Sequence, residues 1–132
     1  MKAAITVIGT QYTDGDRAEI CQEAVGLVRH TADGYNITYK ADEMKTTVTV
    51  ASSQITVSRV GSYSSVLILE MGQAHTCLYR TPYGMFDLAV TAKQIENELI
   101  DGFGRLYVSY ELDMGGASTQ NEIEITVKEV SE

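Results

Sequence analysis

Strict alternation of apolar and polar residues constrains this chain more than any other feature. Leu106, Val108, Tyr110 and Leu112 alternate with Tyr107, Ser109, Glu111 and Asp113. Ile123, Ile125 and Val127 alternate with Glu122, Glu124, Thr126 and Lys128, and Tyr35, Ile37 and Tyr39 with Asn36, Thr38 and Lys40. Successive side chains of a strand point to opposite faces, so each pattern is that of a strand with one face buried and one wet. Composition agrees. Thr, Val and Ile supply 36 of the 132 residues and there is one proline, a balance that suits pleated surfaces better than helices.

Turn chemistry separates the runs. Asp14-Gly15, Asp33-Gly34 and Asp101-Gly102 are hairpin signals, because a tight hairpin turn needs positive φ. Gly115-Gly116 opens a last loop whose polar run, Ala117 to Asn121, is the expected mobile segment. Strands are expected near Ala3–Tyr12, Arg17–His30, Tyr35–Lys40, Thr46–Ala51, Ile55–Val60, Tyr63–Met71, His75–Thr81, Gly84–Thr91, Gln94–Ile100, Arg105–Asp113 and Glu122–Val130. A short helix is the alternative at Gln94–Ile100, where Ile95 and Leu99 stand at helical spacing. Consecutive strands with short links imply an antiparallel up-and-down meander. So many strands in so short a chain must close or stack, because open edges invite aggregation. The expectation is one all-β domain over residues 1–132, a small closed antiparallel β-barrel of about eight to ten strands.

Ten basic residues against eighteen acidic ones give a net charge of −8. No two basic residues are adjacent, whereas phosphate neutralisation needs clustered Lys and Arg. Neither nucleic acid nor an anionic membrane is an expected partner. No run approaches the roughly 18–20 apolar residues of a spanning helix, and Met1 to Ile8 falls short of a secretory signal. A cytoplasmic protein is expected, with Cys21 and Cys77 as separate thiols.

Candidate site residues follow from parity. Arg59 continues the buried register of Ile55 and Val57. An inward Arg is either an anion anchor or half of an internal ion pair, unless it reaches solvent at the strand end. His75, Cys77, Tyr79 and Thr81 share one strand face. His75 and Cys77 are two metal-ligand types, but a zinc site needs three or four, and no spacing brings His30 and Cys21 to them. No metal or cofactor is expected. No serine lies in a Gly-x-Ser-x-Gly elbow, and Gly102-Phe103-Gly104 precedes a strand, not a helix. No residue is therefore assigned a catalytic role.

Thr6-Val7-Ile8-Gly9-Thr10-Gln11, followed later by Tyr79-Arg80-Thr81-Pro82-Tyr83-Gly84, resembles the YwiB-like family of bacterial proteins. Supporting marks are Tyr39, Arg59-Val60-Gly61, Gly72, Thr91, and Gly104 leading into Tyr110-Glu111-Leu112, in order from about Ile5 to Val127. Two positions depart from the family pattern. Leu69 stands where an aromatic residue is common, and Lys40-Ala41-Asp42-Glu43 stands where an acidic pair usually follows the Tyr39 strand. The resemblance implies a calycin-type, lipocalin-like barrel and carries no established activity.

A closed barrel brings distant strands across its lumen, so Arg59, His75, Tyr79 and Tyr39 are expected to face one cavity that binds a small polar or anionic molecule without catalysis. The alternative is a filled barrel that works through its outer face or as a homodimer. An enzyme using the same cavity comes third.

Overall fold

The computed structural model describes residues 1–130. Ten strands follow one another: β1 (Lys2–Thr13), β2 (Asp16–Thr31), β3 (Gly34–Ala41), β4 (Met44–Ala51), β5 (Ile55–Val60), β6 (Ser64–Leu69), β7 (Ala74–Thr81), β8 (Gly84–Asn97), β9 (Gly104–Met114) and β10 (Ala117–Glu129). Each pairs with its sequence neighbours, all antiparallel. β1 pairs with β10 from Ala3↔Glu129 to Tyr12↔Gln120, and this ladder closes the barrel.

The tight turns are where the glycines require them. Asp14-Gly15, Asp101-Gly102 and Gly115-Gly116 all have positive φ at both positions, which matches the right-handed twist of the flanking strands. Asp42-Glu43 makes the same kind of turn, with φ of 52° and 63°, without any glycine to signal it. Three expectations are corrected. The turn after β2 is Ala32-Asp33, and Gly34 already belongs to β3. Ala117–Asn121 is the start of β10. Gln94–Asn97 is neither a separate strand nor a helix but the end of β8, joined through a bulge between Ala92 and Gln94.

Two joints in the wall are short. β6 and β7 share only Ser64↔Arg80 and Ser65↔Tyr79; beyond them the Ile68 N–H donates to the Cys77 sulfur at 3.4 Å. β2 and β3 pair from Thr31↔Gly34 to Gly26↔Tyr39, after which they diverge.

The lumen is filled over one half. Ile5, Ile37, Val48, Leu69, Val90, Leu106, Val108, Ile125 and Val127 are fully buried there, each contributing about 1.5–3 kcal/mol. These layers lie toward the end that carries the chain termini and the β2–β3, β4–β5, β6–β7 and β8–β9 connections.

Candidate functional site

Toward the other end, the inward positions change character. β4 runs Val50, Val48, Thr46; β5 runs Ile55, Val57, Arg59; β6 runs Leu69, Leu67, Ser65; β10 runs Val127, Ile125, Ile123, Asn121. Branched aliphatic residues give way to hydroxyls, an amide and a guanidinium as the strands approach the β1–β2, β3–β4, β5–β6, β7–β8 and β9–β10 hairpins. The lumen there is a cavity of about 540 Å³.

One row of cross-strand neighbours organises its wall. Thr46 lies opposite Arg59, Arg59 opposite Ser65, and Ser65 opposite Tyr79. Thr46 and Ser65 are buried, and Arg59 and Tyr79 half-buried. Tyr79 stacks on Tyr63 of the β5–β6 turn, ring centroids 5.5 Å apart. Other strands add Tyr110 of β9, Thr10 of β1, and Asn121 and the carboxylate Glu122 of β10 to the polar lining. Burial pushes the Tyr110 hydroxyl above the usual tyrosine range, and the Arg59 charge opposes part of that rise. Arg59 makes no hydrogen bond or ion pair with any described residue. A guanidinium offers five N–H donors and no acceptor, in a fork that matches a carboxylate or phosphate.

Arg59 and Tyr79 line this cavity; Tyr39 and His75 do not. Tyr39 belongs to the same row, opposite Thr46, but lies in the packed core at 3% exposure. His75 is near the far end of β7, where its Nε2 lies 3.0 Å from Glu70. Gln54 donates to the same carboxylate oxygen at 2.9 Å. These two hydrogen bonds, the one from Gln54 foremost, hold the Glu70 carboxyl below its usual range.

Cys77 is buried, which pushes its thiol up, and the Sγ approaches the His75 carbonyl at 3.9 Å, not the ring. That geometry is not a thiol–imidazole pair. Among the described residues, no three His, Cys, Asp or Glu side chains converge on a metal position. The wall residues that parity alone did not single out are Thr46, Ser65 and Tyr63. The signal for the first two was a hydroxyl on the inward parity of its strand, within two residues of the hairpin-end start of that strand.

A family model described as a domain of unknown function, DUF1934, matches residues 5–125. The chain belongs to the DUF1934 family. Its barrel is similar to the crystal structure of the ywiB protein from Bacillus subtilis, with a TM-score of 0.81 and 19% sequence identity, covering 98% of this chain and 92% of that one. At that identity the DUF1934 likeness to ywiB is one of fold. No curated protein matches the chain in sequence. Among the described residues of this DUF1934 protein, no helix is long and apolar enough to cross a membrane.

Proposed function

We propose that this DUF1934 barrel binds a small molecule bearing a carboxylate or phosphate, without catalysis, in the manner of a calycin-like barrel. The observation that carries this reading is Arg59: a cation set into a lumen wall and in no ion pair with a described carboxylate, the Glu122 carboxylate of the same cavity being held by Tyr12 and Tyr107. A partly buried charge lacking a partner is costly to keep, and an anionic ligand supplies the partner. Thr46, Ser65 and the Tyr63–Tyr79 stack offer neutral hydrogen-bonding and apolar surface beside it. A half-hollow lumen favours this over a filled barrel acting through its outer face.

The test is thermal melting of wild type and Arg59→Met against a panel of carboxylate and phosphate metabolites, beside native mass spectrometry of freshly purified protein. A melting shift, or a retained mass, that disappears in Arg59→Met is the expected result. A wild-type protein that carries no small molecule and shifts with no compound overturns it.

A further inference from the structure

Among the described residues, one edge of β2 is paired over only part of its length. β1 pairs with the other edge from Lys2↔Leu27 to Thr13↔Asp16, but β3 covers only Gly26–Thr31 of this one. From Asp16 to Val25 the second edge has no strand among the described residues. The tip of the β3–β4 hairpin reaches it through side chains, the Gln22 amide donating to Asp42 at 2.7 Å. Unpaired edges of this length are templates for another strand.

The backbone orientation along this edge follows from one contact. The Val28 N–H donates to the Met1 carbonyl and the Met1 ammonium to the Val28 carbonyl, both at 2.8 Å. Even-numbered residues of β2 therefore direct their peptide groups at β1. Odd-numbered ones, Arg17, Glu19, Cys21 and Glu23, direct theirs out of the edge, since the direction alternates along a strand. On the lumen side of the same stretch, Ile20 is 66% exposed at the cavity mouth.

We propose that this edge pairs with the same edge of a second copy of the chain, antiparallel, with the two-fold axis at Ile20. Charge and paired length together select that register: an axis at Ala18 would also set Arg17 against the partner's Glu19 twice, a residue it already holds within the chain, but β2 ends two residues beyond that axis, at Asp16, against four for an axis at Ile20. With the axis at Ile20, Arg17 faces the partner's Glu23 twice, Glu19 faces the partner's Cys21, and the two Ile20 residues form a non-hydrogen-bonded pair, about 4.5 Å between Cα atoms. An axis at Cys21 sets Glu19 against Glu23 twice, and an axis at Glu19 sets that residue against its own copy; like charges directly opposite are destabilising. An axis at Gln22 forms no ion pair. Odd must face odd for the peptide groups to meet, so an intermediate register is excluded. The pairing buries Ile20 and supplies partners for the free peptide groups, and the sheets of the two barrels become continuous across the axis.

Sedimentation velocity at micromolar concentration is expected to show a dimer. Glu19→Pro removes an N–H that points away from β1, so it is tolerated as an edge proline. Its circular dichroism should match wild type, and its dimer should be at least tenfold weaker. Ile20→Cys in a Cys21→Ser background should form a disulfide-linked dimer under mild oxidation, while wild type, with Cys21 off the axis, should not. A monomeric wild type, a dimer unaffected by folded Glu19→Pro, or crosslinking through Cys21 in place of position 20 overturns the proposal.

Discussion

A Cβ on Gly34 would lie 1.8 Å from the carbonyl oxygen of Val50. Gly34 is there for close backbone approach between β3 and β4, not for a turn angle. Gly34→Ala is expected to destabilise by roughly 1–3 kcal/mol through forced displacement of the two strands. Gly9 has nothing within 4 Å of the same position and an ordinary φ. Gly9→Ala should therefore fall within about 1 kcal/mol of wild type or gain slightly. Urea unfolding of both variants checks the contrast.

Arg59→Met should leave stability unchanged or higher, because it strands no described carboxylate. Had Arg59 been half of a buried ion pair, the same change would cost about 3–5 kcal/mol. Chemical denaturation of the purified variant in the absence of ligand separates the two.

Tyr107 donates to Glu122, which also accepts from Tyr12 at 2.7 Å. The bond to Glu122 raises the Tyr107 hydroxyl to about 12. Its folded value exceeds its unfolded one, so its contribution is complete below about pH 10 and is lost as the pH climbs toward about 12. Glu122 runs the other way. Hydrogen bonds from Tyr107 and then Tyr12 hold it low, so its contribution is present above the ordinary carboxylate range and lost as the pH falls. Tyr107→Phe should flatten the alkaline limb of a stability–pH curve and reduce the acid limb.

The two cysteines are separate, Cys21 exposed and Cys77 buried. Burial raises the Cys77 thiol, which lowers its thiolate fraction as well as its access. One equivalent of aromatic disulfide reagent should react at once with native protein, and the second only after denaturant is added. Two fast equivalents would contradict the packing around Cys77.

The legible parts of the fold were those with unbroken parity. Leu106 to Leu112 and Ile123 to Val127 read directly as β9 and β10. β8 did not, because its bulge breaks the period: Val90 and Ala92 are buried and the next core-facing residue is Ile95, three positions on. That spacing, continued to Leu99, imitates a helix. Gly34 misled for a related reason, since a glycine required by contact looks in sequence like one required by a turn. For the site, parity says which face a side chain occupies but not how far along the barrel it stands. His75 and Tyr79 share a face of β7, yet four residues of strand place them roughly 13 Å apart. Only the register, which sets Thr46, Arg59, Ser65 and Tyr79 side by side, shows which inward groups meet.

Because Ala3 pairs with Glu129, the two ends of the described barrel stand one strand spacing apart, about 4.8 Å. In topological terms the meander is a ring that happens to be cut between β10 and β1. Any of its connections could be cut without changing the order of strands around that ring. A circular permutant that joins the ends by a short linker and opens at Gly72, in the connection between the two strands that share the fewest ladder pairs, Ser64↔Arg80 and Ser65↔Tyr79 at their far ends, unlinks the weakest seam and keeps every long ladder whole.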